Sequence, residues 1–390
     1  MIESYLKITD DFQEMKEIAL RLIKDVKWRG IKKFYTPLML QKMRDELDHY
    51  MPDGTEEEKN AMIYRSIYDF WMYGATVDEE FYLQLKDMGD KEKRGYMVHH
   101  IRNAYVRHLN ESAGPDKVEK LEDKYRCYQR LKEFYLRDVI EVRDESDLNT
   151  FREFAKKHSS FVVKPADYAY GYGVHKLSME EFDYDYKRAL DSILSEGNAI
   201  HEKHPSKVAK MVLEELIIQD ESLAVLHPNS VNGIRVTAVR GKDGKIHVYH
   251  PWIKVGINGT FVASAALDGF DAEIDPVSGI VISDGAQENG HIYKVHPDSG
   301  ITIKGFKIPK WKELLELVDA LMNEMSEYGY IGWDLVLTPN GWCVMEANYS
   351  GEFTFQLING RGYRDEFEKL IGWKYEKDFW WLDSENFHDN

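Results

Sequence analysis

Two apolar runs flank a tight turn near the end of the chain: Gly332-Trp333-Asp334-Leu335-Val336-Leu337-Thr338-Pro339-Asn340-Gly341, then Trp342-Cys343-Val344-Met345-Glu346-Ala347-Asn348-Tyr349-Ser350. Pro339, Asn340 and Gly341 are turn residues and the flanks are rich in Val, Leu, Trp and Cys, so the segment reads as a β-hairpin. Side chains alternate along a strand, which puts Glu346 and Asn348 on one face and lets Asp334 come opposite them. Two carboxylates and an amide suit a hard cation such as Mg2+, whose remaining ligands are typically waters and nucleotide phosphates. A solvated hairpin with scattered polar residues has the same pattern, so its meaning depends on a phosphate-binding partner upstream.

Composition narrows the setting. At 390 residues the chain implies two or three domains or subdomains. Hydrophobic residues make up 43% and the formal net charge is −17 with no long Lys/Arg block, which argues against nucleic-acid or anionic-membrane binding through bulk electrostatics. Local basic pockets stay possible. Cys127 and Cys343 are the only cysteines, so no disulfide framework is expected and a reducing, cytoplasmic location is. The start of the chain lacks a basic and then apolar leader, and no apolar run approaches the roughly 18 residues of a membrane span.

Residues 1–120 read as a helical domain. Phe12, Met15, Ile18, Leu22 and Val26 recur at helical spacing, as do Ile63, Ile67, Phe70 and Trp71, and then Val98, Ile101 and Tyr105. The stretch from Tyr96 to Arg107 mixes aromatic and basic residues; core packing with an exposed basic side is the plainer reading, an acceptor-side role the alternative. From 121 helices and strands alternate: helices over 121–134, 145–157 and 179–195, strands over 138–142, 160–164 and 210–216. Residues 232–305 read mainly as strands joined by turns such as Lys242-Asp243-Gly244 and Asn258-Gly259. A helix over 310–326 precedes the hairpin. The domains expected are 1–120, 121–220, 221–375 and an acidic, aromatic tail over 376–390.

The partner that the hairpin needs lies in Phe161-Val162-Val163-Lys164, followed by a loop containing Gly171 and Gly173. A lysine leaving an apolar strand supplies a point charge, and glycine-loop amides supply directional donors for anionic oxygens. The spacing is neither a Walker loop nor a dinucleotide fingerprint. Next, Met211-Val212-Leu213-Glu214-Glu215-Leu216-Ile217 is an apolar strand running into polar residues, which suits an adenine slot and equally an ordinary strand.

Taken in order, Lys124, Lys164 with the glycine loop, Glu214-Glu215-Leu216-Ile217, and Asp334 with Glu346 and Asn348 resemble the ATP-grasp superfamily over about 121–365. His227-Pro228-Asn229-Ser230, His296-Pro297-Asp298-Ser299-Gly300 and Gly332-Trp333-Asp334 resemble more narrowly its sugar-transfer-associated branch, which is tied to cell-surface polysaccharide biosynthesis. The resemblance implies an α+β ATP-grasp fold of two subdomains, 121–220 and 221–375, gripping ATP behind the N-terminal helices. It implies that Lys124 and Lys164 grip the phosphates, that Glu214, Glu215 and the Leu216-Ile217 backbone hold adenine, and that Gln219 or Glu221 lies near the ribose. Asp334, Glu346 and Asn348 would bind one or two Mg2+ (or Mn2+). Lys164 and Arg235 would be catalytic, with Arg235 balancing charge on the transferred phosphoryl group or holding a substrate carboxylate; pairing of Arg235 with a neighbouring acid is the structural alternative.

This chain departs from the pattern where Lys254 stands for an expected arginine, which a lysine cannot match in bidentate contact, and where Ala263-Ser264-Ala265-Ala266-Leu267-Asp268-Gly269-Phe270 replaces an expected Asp-Asn and Gly-Gly pattern. The activity implied is an ADP-forming ligase joining a small or sugar-linked carboxylate to an amine through an acylphosphate. The alternatives are a kinase acting on a sugar or polyol hydroxyl, with Asp268 or Asp271 as base, and a nucleotide-binding protein without turnover.

Overall fold

A computed structural model describes residues 6–26, 34–168, 172–203, 209–260, 263, 269–351 and 353–382. The N-terminal region is helical, and its helices begin and end where their sequence dictates. Asp11 accepts the amide of Glu14 at the start of helix Phe12–Asp25, which buries Met15, Ile18 and Leu22. Thr55 and Glu58 form a capping box on helix Glu56–Tyr73, and Gly74 ends it at φ +88°, a left-handed conformation that glycine adopts freely. Helix His99–Leu109 follows. It docks on the rest of the chain through Asn110, whose amide oxygen accepts the amides of Gly329 (3.0 Å) and Tyr330 (2.8 Å) while its nitrogen donates to the Tyr330 carbonyl (2.9 Å).

After helix Lys124–Tyr135 come two antiparallel sheets. The first holds β1 (Val139–Val142), β2 (Ser160–Pro165), β3 (His175–Ser178) and β4 (Met211–Glu215) in the order β1-β4-β2-β3. Helices Leu148–Lys157 and Tyr186–Lys203 cover one face, where Phe151, Phe154, Leu190 and Ile193 close a core with Phe161, Val163 and Leu213. The second helix starts later than periodicity predicts, because a short 3-10 turn capped by Ser178 occupies Met179–Phe182.

The second sheet contains β5 (Gly233–Arg240), β6 (Ile246–Gly256), β7 (Gly269–Glu273), β8 (Gly285–Ala286), β9 (Ile292–Tyr293), β10 (Tyr330–Thr338) and β11 (Gly341–Asn348), in the order β11-β10-β5-β6-β7-β8-β9. Helix Trp311–Glu324 packs Leu314, Val318 and Leu321 into the main core, which this sheet shares with the N-terminal helices.

The two His-Pro motifs are matched turns. His227 Nδ1 accepts the amide of Ser230 at 3.2 Å, and His296 Nδ1 accepts those of Asp298 (3.1 Å) and Ser299 (3.3 Å). His296 Nε2 then donates to the Gly256 carbonyl at 2.9 Å, and both rings are buried. A Cβ on Gly256 would lie 2.4 Å from Ser230 Oγ, so the turns fit around the end of β6 only because that residue is glycine. Cys127 and Cys343 are buried free thiols. Among the described residues no helix is long and apolar enough to cross a membrane.

Candidate active site

The hairpin of β10 and β11 forms the floor. From the turn the register runs Thr338↔Gly341, Leu337↔Trp342, Val336↔Cys343, Leu335↔Val344, and then shifts so that Asp334 pairs with Glu346 and Gly332 with Asn348. Unbroken counting would set Asp334 against Met345 and turn Glu346 to the opposite face. A β-bulge absorbs Met345 and brings Asp334, Glu346 and Asn348 to one face. Asn348 Nδ2 lies 3.3 Å from Asp334 Oδ2 and 3.3 Å from the Gly332 carbonyl.

Asp334 is buried and heavily held. Arg235, its partner across β5, grips it in bidentate fashion, Nε to Oδ1 at 2.7 Å and Nη2 to Oδ2 at 2.9 Å. Lys254 faces Gly233 in the register, and its Nζ reaches Asp334 Oδ1 at 3.2 Å. Burial alone would raise the Asp334 pKa, but the Arg235 and Lys254 charges hold it far below the usual carboxylate range. Lys254, the departure from the family pattern, therefore faces the carboxylate expected to hold a metal. Asp271 pairs with Lys254 on β7 and is buried; Asp268 lies outside the described residues.

The first sheet forms the facing wall. Val162 pairs with Glu214, so Lys164, two residues along β2, shares that face, and its Nζ meets Glu214 Oε1 at 2.5 Å. The other carboxylate oxygen belongs to Arg137, with Nε at 3.0 Å and Nη2 at 2.8 Å. Burial would raise the Glu214 pKa, yet Arg137 and Lys164 outweigh it and hold it at about 2.

Wall and floor meet at Lys124. Asp123 caps the helix that Lys124 begins, accepting the amides of Tyr125 and Arg126, and the Lys124 amide donates to Ala166 at the end of β2 (2.9 Å). Its Nζ bonds the Tyr168 carbonyl, at the mouth of the glycine loop, and lies 3.2 Å from Glu346 Oε1. Gly173 has φ +69°, and a Cβ there would come within 2.9 Å of Pro165 Cγ; Gly171 lies outside the described residues.

The segment leaving β4 links the sheets, with Asp220 N donating to Leu337 O at 2.8 Å. Leu216 and Ile217 are half-buried there. Glu215 accepts the amide of Asp138 at 3.1 Å. Gln219 donates to the carbonyls of His227 (2.9 Å) and Ser230 (2.7 Å) and accepts from Asn232 N (3.1 Å) and Nδ2 (3.0 Å). Its amide thus holds a loop together. Glu221 is exposed at the start of a short helix.

Sequence reasoning missed Arg137, because an arginine between a helix and a strand looks like a surface cation. The residues present fit a divalent cation: Glu346 and Asp334 oppose each other with Asn348 beside them, and Lys124, Arg235 and Lys254 are paired with the two carboxylates.

A grasp of this kind, two antiparallel sheets closing lysines on a carboxylate floor, defines the ATP-grasp class. The sequence matches the profile of the sugar-transfer associated ATP-grasp family over residues 100–371, well over half its length, and the chain belongs to that family. The match begins before residue 121 and takes in helix His99–Leu109 from its second residue. A search of curated proteins finds none that matches. Among solved structures, D-alanyl-alanine synthetase A from Vibrio cholerae is 12% identical with a TM-score of 0.38, covering 64% of this chain and 66% of that one. N5-carboxyaminoimidazole ribonucleotide synthetase, in its ADP complex, is 10% identical with a TM-score of 0.40 over 70% and 59%. Phosphoribosylamine–glycine ligase from Thermotoga maritima is 15% identical with a TM-score of 0.43 over 70% and 61%. The chain thus spans less than two thirds of the length of each of these proteins.

Proposed function

We propose that the protein is an ATP- and Mg2+-dependent, ADP-forming carboxylate–amine ligase, working in the biosynthesis of cell-surface polysaccharide or a related conjugate. The observation that carries this reading is Lys124, which touches both the loop carbonyl at Tyr168 and the metal-site Glu346. Phosphates placed between the sheets would meet Lys124 and Lys164 from one side and a cation on Asp334, Glu346 and Asn348 from the other. When bound, the cation supplies charge neutralisation on the phosphate oxygens.

The chain's own residues do the rest. The Leu216-Ile217 backbone flanks adenine, with Glu214 behind it orienting Lys164. The Gly173 loop excludes water from the acylphosphate. Arg235, gripped by Asp334, stands beside Gly351, where a Cβ would lie 2.8 Å from Nη1, and at that end of the floor it balances charge on the substrate carboxylate or the transferred phosphoryl group. The N-terminal helices close the acceptor side, since helix His99–Leu109 is bonded to the start of β10 through Asn110.

Incubation with ATP, Mg2+ and pooled amino acids and uronic-acid nucleotides should release ADP and phosphate together with an amide product. AMP and pyrophosphate would refute the ligase mechanism, and a phosphorylated product without free phosphate would establish the kinase reading. Glu346→Ala should abolish turnover; full retention would overturn the metal assignment.

A further inference from the structure

The Arg137 guanidinium is buried, with a side chain 3% exposed, and all five of its N–H groups are engaged. Nε and Nη2 take one oxygen of Glu214 at 3.0 and 2.8 Å. Nη1 takes the carbonyls of Tyr135 (3.1 Å) and Val344 (2.5 Å), and Nη2 also reaches the carbonyl of Met345 at 3.3 Å. Met345 is the bulge residue, and Val344 is the last residue of β11 in register with the turn. One side chain therefore reaches the two carbonyls that precede Glu346 and the carboxylate that orients Lys164.

We infer that Arg137 is a positioning residue that makes nucleotide and Mg2+ binding interdependent; this rests on the nucleotide reading above. Two physical consequences follow from its contacts. The bulge that turns Glu346 and Asn348 towards Asp334 is fixed from outside the hairpin, so the metal floor keeps its shape only while Arg137 holds the Val344 and Met345 carbonyls. Glu214 is also neutralised from two sides. When Lys164 turns to a phosphate, Arg137 still balances the buried carboxylate; without Arg137 that carboxylate would retain Lys164 for itself. The planar five-donor guanidinium does both, and lysine, with three donors on one nitrogen, cannot reproduce the set.

The test is ADP affinity by titration calorimetry, with Mg2+ and with EDTA, for the wild type, Arg137→Gln and Arg137→Lys, each checked for folding by its melting curve. The ratio of the two dissociation constants measures the coupling. That ratio is expected to fall at least tenfold in Arg137→Gln and to be only partly restored in Arg137→Lys. A folded variant of either kind that melts lower but keeps the wild-type ratio would overturn the inference and leave Arg137 a purely structural residue. Absence of Mg2+-dependent ADP binding in the wild type is a different outcome, since it would overturn the nucleotide reading itself.

Discussion

Replacing Glu214 with glutamine keeps the shape of the site and removes one charge from between two buried cations. The carboxylate meets Lys164 at 2.5 Å and Arg137 at 2.8 and 3.0 Å, and all three side chains are at least nine-tenths buried. Removing one partner of such a pair costs about 3–5 kcal/mol, because the remaining charge is left desolvated. Titration gives a second route to the size. Burial opposes ionisation, but Arg137 and Lys164 bring the pKa from its usual 4.5 to about 2, and at about 1.4 kcal/mol per pH unit that is about 3 kcal/mol. Because the folded value lies below the unfolded one, this stability is fully present above about pH 4.5 and is lost as the pH falls towards 2. Urea unfolding of Glu214→Gln at pH 7 should therefore show a loss of about 3 kcal/mol or more, and the gap to the wild type should narrow below pH 4.5. A loss under about 1 kcal/mol at pH 7, the size of an exposed ion pair, would refute the picture of a dry charge cluster.

Other predictions follow from geometry elsewhere in the molecule. Gly351→Ala would press a methyl group onto Arg235 Nη1, and turnover should fall by about 10²-fold with little change in ADP affinity; equal losses in both would refute a role confined to the acceptor side. Glu80 is fully buried and its pKa is raised by burial and then by the neighbouring Asp69 charge, both of which favour the uncharged form that glutamine resembles. Glu80→Gln should thus change stability at pH 7 by less than about 1 kcal/mol, whereas Asp69→Asn, which strips the 2.6 Å partner from buried Lys93, should cost about 3–5 kcal/mol. His250 is pushed down by burial, yet bonds to Glu273 (2.5 Å) and Glu366 (3.0 Å) leave its pKa raised. Its contribution is complete below about pH 6.5 and fades as the pH rises through the raised value. The melting-temperature difference between wild type and His250→Gln should shrink from pH 6 to pH 9, and a constant difference would refute the charged clamp.

Much of this site could be read from residue order alone, and the parts that could not share a cause. The hairpin declared itself because Pro339-Asn340-Gly341 admits little but a turn, and Lys164 because a lysine at the end of Phe161-Val162-Val163 needs a polar partner. Arg137 left no local trace, since three of its four acceptors, on Glu214, Val344 and Met345, lie far from it in the chain. Gln219 shows the converse: its place beside an expected nucleotide site suggests a ribose contact, while its side-chain amide is engaged with His227, Ser230 and Asn232 in the loop that follows. Arg235 illustrates a third case. Of its two sequence readings, the ion pair with a neighbouring acid is the one seen, in the bidentate grip on Asp334, and substrate contact belongs to the proposed function.

The bulge at Met345 makes the hairpin a parity device. Asp334 stands four residues before Thr338, whereas Glu346 stands five after Gly341, and that inequality decides which side of the sheet the two carboxylates occupy. In an alternating strand a single added residue exchanges inside for outside for everything beyond it. Homologous chains should therefore tolerate residues gained or lost between the turn and either carboxylate only in even steps, or with the bulge gained or lost in compensation. The difference between the two arm lengths, rather than the carboxylates themselves, is the mark by which a working floor can be told from a look-alike hairpin.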